Sequence, residues 1–460
     1  MKPLRKQGII IFSILALVLA ACGGGTSEET VEEEATPEVV ETLDSPAVTT
    51  ASNVETGVGV TSEPCPEEIG GVPTGADPSK GCIYLGMLND YTGPYAAVAP
   101  ALETAQRGFW LWANSTGGIG DYSVAIIEGA DTSFNPQKHL EQYNAQRDQV
   151  AALAMSLGTN QTLFILDEMD KDNMVAAPMS WYSGWSYKSL DRGLVVEFGA
   201  AYCADGMNAL DWAIASLPVD IKTIGIMGFA GDYGGDWAQG IKYAAERNGI
   251  TVAWEYLPPT LEFDVAQAVG LMVTQPVDAY FPAVGPGEMA QVAGGAFQQG
   301  LTPIAMMAAP SYNDAFVQEG FPLKPLFESG SMYSMAWVAP YEADTAAHAT
   351  MRATFAQMGI ESASSFLVAG WSSQYHLKGV LEAAVKGGDL TRAGIRRAAA
   401  NVYVESDGMM QTRELGQNRA DNDSYINIPD GSIGSGARLL APSYVGPSAE
   451  SYDWNSGPCA

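Results

Sequence analysis

At 460 residues and a formal net charge of −30, the chain is long enough for two or three domains and too acidic to hold a phosphate backbone. Hydrophobic residues make up 47% and charged residues only 17%, with a mean hydropathy of zero, which excludes both a disordered polyelectrolyte and a multi-span membrane protein. His139, His348 and His376 stand far apart and the five cysteines form no CxxC pair, so no metal site and no cofactor is expected.

The first segment reads as a targeting signal over residues 1–21. Lys2, Arg5 and Lys6 give a positive start, and Gly8 to Leu19 is an apolar run shorter than the roughly 20 residues that span a bilayer. The run ends in Leu19-Ala20-Ala21-Cys22-Gly23, which resembles a bacterial lipobox. That resemblance implies that Cys22 carries the lipid and anchors an extracytoplasmic protein to the bacterial cell membrane. An ordinary signal peptide with a chance cysteine is the other reading. Residues 22–80 follow as an acidic tether; from Gly23 to Lys80 there are 13 acidic residues against one basic. Such a segment buries too little to offset the entropy of ordering, so disorder is expected. Cys65, Cys82, Cys203 and Cys459 suit an oxidising exterior. A local Cys65–Cys82 bridge would leave Cys203 to tie down Cys459, but four cysteines allow three connectivities and spacing does not choose among them.

From Cys82 onward short apolar runs alternate with helical patterns. Strands are expected at 83–88, 122–128, 150–155 and 173–177, with helices at 101–114 and 135–148 between them. A second series of strands stands at 222–228, 251–257, 278–283 and 303–308, separated by amphipathic stretches at 234–248, 264–275 and 287–300. One βα unit every 25 to 30 residues predicts an α/β fold of two doubly wound, Rossmann-like lobes joined by a hinge. The gap between the two series holds a helix candidate at 205–216 and divides lobe 1 (81–204) from lobe 2 (205–340). Residues 341–460 read as further helices (344–358, 366–386, 391–400), part of which returns to lobe 1, and then a Gly/Asn/Asp-rich tail without periodicity. In such folds a ligand sits at the C-terminal ends of the strands, here where the lobes face each other.

The segment from Ile83 to Glu141, with its strand followed by Tyr91-Thr92-Gly93-Pro94-Tyr95, the helix end Asn114…Gly117-Gly118-Ile119, and the strand closing on Asp131-Thr132 before Pro136, resembles the leucine/isoleucine/valine-binding family of type I periplasmic binding proteins. Asp232-Tyr233-Gly234 before a helix and Gly285-Pro286-Gly287-Glu288-Met289 resemble that family's second-lobe motifs. The resemblance runs over roughly 82–410. It implies an ABC-importer receptor that closes two lobes on a small amino acid, of branched-chain type first.

What the resemblance implies for the site is residue-specific. Thr159, in the loop Ser156–Thr162, falls where the family places a hydroxyl against the ligand carboxylate; the plain reading is an N-cap. Glu288 falls where a carboxylate meets the ligand ammonium; the plain reading is a first-turn glutamate favoured by the helix dipole. Tyr233 matches a pocket tyrosine, or packs within its own lobe. The sequence departs from the family at Pro178–Trp185, where Trp181 stands at an expected hydroxyl position with Ser180 beside it. Trp181, Tyr182 and Trp185 either line a remodelled pocket or pack the lobe. Val98 replaces an aromatic that some members carry at the first-lobe wall.

No G-x-S-x-G, H-E-x-x-H or G-x-x-x-x-G-K-[ST] is present, so no enzyme is expected. Amide, urea or aromatic-acid binding and a ligand-sensing role are the alternatives. The expected partners are a small molecule, the permease subunits of an importer and a membrane reached through Cys22, with no nucleic acid and a monomeric body.

Overall fold

The computed structural model describes residues 54–231, 233–411, 413–417 and 420–459. The signal peptide, Cys22, the tether up to residue 53 and Asp232 lie outside the described residues. In lobe 1, β1 (Gly81–Asn89) is the central strand. It is followed by α1 (Ala99–Ser115), β2 (Tyr122–Ile126), α2 (Pro136–Gln146), β3 (Ala152–Leu157), α3 (Thr159–Asp172) and β4 (Ala176–Met179). β1 pairs in parallel with β2 on one edge and β3 on the other, and β4 lies parallel beyond β3. Near-continuous burial along β1 and β3 is what a parallel sheet covered on both faces demands.

The chain crosses to lobe 2 at 199–201, where α4 (Tyr202–Ser216) begins. There follow β5 (Thr223–Gly228), α5 (Tyr233–Asn248), β6 (Thr251–Tyr256), α6 (Val265–Thr274), β7 (Ala279–Ala283), α7 (Pro286–Gln298), β8 (Ile304–Met307) and β9 (Met332–Ala336). These strands lie in parallel in the order β6-β5-β7-β8-β9. The chain then returns to lobe 1 through α8 (Ala346–Gln357), α9 (Ser365–Lys386) and α10 (Arg392–Ala399). Trp110 of α1 donates to Gln374 of α9 at 2.9 Å, and Gln374 donates to the Ala154 carbonyl of β3 at 3.0 Å. The returning helix is thereby fastened into the lobe-1 core, with Phe109 packed edge-on against Trp371.

Two expectations change. Residues 424–444, expected as part of an irregular tail, form the antiparallel hairpin β10 (Ser424–Pro429) and β11 (Ala437–Tyr444), which extends the lobe-2 sheet from β9. Its burial alternates along β11 because one face is solvated, so no apolar run announces it. Residues 54–80, expected at the end of the tether, are placed on lobe 1. Glu55–Thr56 pairs with Asp389–Leu390, Val60–Thr61 pairs with Ile83 and Cys82, and a Cys65–Cys82 disulfide closes the segment. The second disulfide joins Cys203 to Cys459.

Several buried carboxyls sit well above the ordinary aspartate range. Burial pushes Asp236 and Asp314 up to about 6 and Asp191 up to about 7, and raises the fully buried Asp205, in each case against hydrogen bonds that favour the charged form. A carboxyl raised in the folded state contributes stability that is complete below its unfolded value near 4 and is lost as pH rises through the folded value. Asp90 and Glu288 are raised by burial in the same way; His139, lowered by burial to about 3, and His348, lowered in the same direction, act oppositely, but they are two groups against six. The melting temperature is therefore expected to rise on acidification from pH 8 to pH 5. Scanning calorimetry across that window checks it; a melting temperature that falls steadily toward pH 5 would contradict it.

Candidate functional site

The ends of β1, β3, β4, β5 and β8 converge on a cavity between the lobes. Seven of its thirteen lining residues are aromatic: Tyr95, Phe134, Trp181, Tyr202, Tyr233, Trp337 and Phe366. The others are Val98, Leu102, Leu157, Gly158, Met179 and Pro310. None carries a charge, so the cavity suits a hydrocarbon body.

Local sequence explains how these rings are aimed. After β1, Asp90 accepts hydrogen bonds from the Gly93 N–H (2.6 Å) and Tyr95 N–H (2.9 Å), folding the loop so that Tyr95 faces Phe134 with ring centroids 4.8 Å apart. Phe134 sits in the left-handed region (φ 50°), as does Ser133 before it (φ 49°). That conformation is costly for side chains with a Cβ and persists only where the surroundings hold it. Here Asp131 accepts from the Ser133 N–H at 3.0 Å, and Gln161 Nε2 donates to the Phe134 carbonyl at 2.7 Å. After β3, Gly158 (φ 99°) turns the chain into α3. A Cβ there would lie 2.2 Å from Gln161 Oε1 and 2.7 Å from Phe134 Cε2. Gly158→Ala is accordingly expected to displace Phe134, lower ligand affinity at least tenfold and cost a few degrees of melting temperature. Titration with a bound solute checks it, and unchanged affinity would contradict it.

Gly158, the residue before α3, has no side chain with which to cap the helix, and it lines the cavity, so the positive end of the helix dipole lies at the cavity wall. Thr159, the first residue of α3, is buried and shares a 2.7 Å hydrogen bond with Ser180 Oγ, which also accepts from Trp185 Nε1 at 3.0 Å. Trp181 lies flat on Trp337, centroids 3.5 Å apart and planes 6° from parallel. The Trp181 carbonyl accepts from the Tyr202 N–H at 2.8 Å, tying this wall to the first crossing between the lobes. Tyr233 lines the cavity from lobe 2, and its hydroxyl donates to the Val284 carbonyl at 2.6 Å.

The structure thus brings Trp181 and Tyr233 into the cavity wall, with Thr159 and Ser180 directly behind it. Tyr182 points elsewhere; it is half-buried edge-on to Trp185, with centroids 5.4 Å apart. Glu288 is also outside the lining residues. It stands in the first turn of α7, where burial raises its carboxyl and Oε2 has no hydrogen-bond partner within the chain. A Cβ on neighbouring Gly285 would lie 2.5 Å from that oxygen and 3.4 Å from Pro94 Cβ of lobe 1. Glu288 therefore sits at the seam between the lobes and not against the cavity. Sequence reasoning missed Tyr95, Phe134, Tyr202, Trp337 and Phe366. These come from five separate segments, and only the fold assembles them.

The lobes are in contact. Asp236 of α5 accepts from the Ser183 N–H (2.9 Å) and Ser183 Oγ (2.7 Å), and Asp314 accepts from the Ser365 N–H and Oγ, both at 2.9 Å.

A family model described as periplasmic binding protein matches residues 82–427. The chain belongs to the periplasmic binding protein family. These are extracytoplasmic receptors that bind small molecules and work with ABC permeases. Among the described residues no helix is long and apolar enough to cross a membrane. No curated protein matches the chain. Among solved structures, a fatty acid ABC transporter substrate-binding protein from Thermomonospora curvata is 24% identical, with a TM-score of 0.76 over 87% of this chain and 97% of that one. A branched-chain amino acid ABC transporter protein from Thermus thermophilus with bound valine is 11% identical, with a TM-score of 0.68 over 81% and 98%. A solute-binding protein from R. palustris in complex with 4-hydroxybenzoate is 14% identical, with a TM-score of 0.66 over 79% and 97%. At these identities the likeness is one of fold.

Proposed function

We propose that this periplasmic binding protein is the solute receptor of an ABC importer, held at the outer face of the cell membrane through a lipid on Cys22, and that its solute is an organic acid with an aromatic or aliphatic hydrocarbon body. One observation carries the choice of solute. Seven aromatic rings and no charged side chain surround a cavity with the N-terminus of α3 at its wall. Apolar surface binds the body, and the first-turn amides of α3, with Thr159 and Ser180 beside them, receive the carboxylate. Lobe closure brings Tyr233 over the bound solute and removes it from water, and the permease engages the closed form. The named solutes of two structural neighbours, a fatty acid and 4-hydroxybenzoate, are of this chemical kind.

The amino-acid reading rests on Glu288 meeting an ammonium group, and the valine-bound neighbour favours it. Both readings meet the same experiment, a thermal-shift screen of the protein against the twenty amino acids, short amides, urea, alkanoates and benzoates. Ligand at 100 times Kd adds about 2.7 kcal/mol to stability, enough to see. Shifts with alkanoates or benzoates, kept in Glu288→Gln, support the organic-acid reading. Shifts confined to amino acids and lost in Glu288→Gln would replace it.

A further inference from the structure

Beside the first cavity lies a second, and the two share a wall made by Trp337 and Phe366. The turn that follows β8 contributes to both, Pro310 to the first and Ala309 to the second. Beyond the wall the second cavity runs along the end of β9 and the return crossing, past Ala336 and Ala339 and against the first turns of α9 at Val368. Its lining is mostly apolar, with polar groups from Tyr312, three serines and Asn427 of β10. Asn427 is 96% buried, at a relative exposure of 4%, and its Oδ1 has no hydrogen-bond partner within the chain. The wall also carries an unsatisfied polar atom, since Trp337 Nε1 is buried without a partner. Phe366 is placed by its neighbour, for Ser365 is held by Asp314 across the cleft. The partition is therefore formed by two side chains, one of them next to a residue held across the cleft.

We propose that the two cavities are one ligand site, divided by the Trp337 and Phe366 side chains, and that the solute is an elongated acid whose acyl chain passes this wall into the second chamber. The proposal rests on the organic-acid reading above and narrows it from compact acids to chain-like ones. The carboxylate stays at the start of α3, the proximal chain lies among the rings, and the distal chain displaces the Phe366 ring to reach Ala336 and Val368.

The test is calorimetric titration of the full-length protein with saturated n-alkanoates of 4 to 14 carbons, each below its micellar concentration. Each newly buried methylene tightens binding by about fourfold, so affinity is expected to keep rising beyond eight carbons. Ala336→Leu and, separately, Ala339→Leu fill the second chamber at positions that line it and not the first, both only partly buried, and a melting temperature near that of wild type checks that each variant is folded. Each is expected to leave hexanoate affinity within about twofold of wild type while weakening dodecanoate by at least tenfold. Affinity that stops rising by eight carbons, or variants that weaken hexanoate and dodecanoate alike, would overturn the two-chamber site and leave the organic-acid reading standing. No binding of any alkanoate, with benzoates bound, would also overturn it, whereas no binding of either class removes the organic-acid reading itself.

Discussion

Replacing Trp181 with alanine is expected to cost solute binding at least a hundredfold and the fold about 3–5 kcal/mol. The indole is almost wholly buried, stacked on Trp337 and edge-on to Phe198 (5.1 Å) and Tyr202 (6.0 Å), so its removal empties the wall where the lobes meet beside the first two crossings. Stacked and edge-to-face pairs contribute about 0.5–1.5 kcal/mol each beyond the area they bury. Trp181→Phe separates the two effects. It keeps most of the packing but shortens the flat surface that meets the solute, so stability recovers while affinity stays at least tenfold below wild type. Paired calorimetry and denaturant titration measure both quantities. A phenylalanine variant that binds as tightly as wild type would reduce Trp181 to a packing residue, the second role open to it on sequence grounds.

Loss of the Cys203–Cys459 disulfide is expected to be the larger of the two cysteine effects, at about 3–5 kcal/mol and a melting temperature lower by roughly 5–10 °C. The bridge spans 256 residues and the Cys65–Cys82 bridge only 17, and loop-closure entropy grows with the length closed. The longer bridge also ends a clasp. The C-terminal segment donates from Ser448 to Asp211 of α4 (N–H at 2.6 Å, Oγ at 2.9 Å), and the Trp454 carbonyl accepts from Tyr187 at 2.5 Å. The Cys459 N–H reaches Ser183 Oγ at 3.2 Å, the same hydroxyl that Asp236 holds across the cleft. Cys203→Ser/Cys459→Ser therefore loosens a segment that touches both lobes, and closure around the solute should weaken with it. The check is the melting temperature of each double variant beside wild type. A greater loss from Cys65→Ser/Cys82→Ser would contradict the account.

The βα rhythm was legible because parallel strands covered on both faces must be apolar along their length, and eight such runs stand at regular spacing. The hairpin 424–444 was not, since β11 alternates buried and exposed residues and its turn is Gly- and Ser-rich. The strands at 55–56 and 60–61 were missed because they are two residues long and owe their order to partners at 389–390 and 82–83. The site divides the same way. Sequence drew attention to Trp181 and Tyr233, which reach the cavity, and to Tyr182, which turns away; a loop without periodicity does not reveal which ring faces inward. Phe134 gave no signal because its left-handed backbone is imposed by Asp131 and Gln161. Trp337 and Phe366 are brought to the cleft by the return crossing and by α9, some 150 to 190 residues after Trp181 in the chain. Glu288 is a residue whose surroundings only the fold supplies. The helix start is where the resemblance puts it, yet its carboxylate lies at the lobe seam, outside the cavity lining.

The most direct test of the account is the crystal structure of the protein with whichever solute gives the largest thermal shift. The account predicts the solute's carboxylate within hydrogen-bond distance of the first-turn amides of α3, with its hydrocarbon body against Trp181, Trp337 and Tyr233. A solute bound at the seam with its polar group on Glu288, leaving the aromatic cavity unfilled, would contradict it.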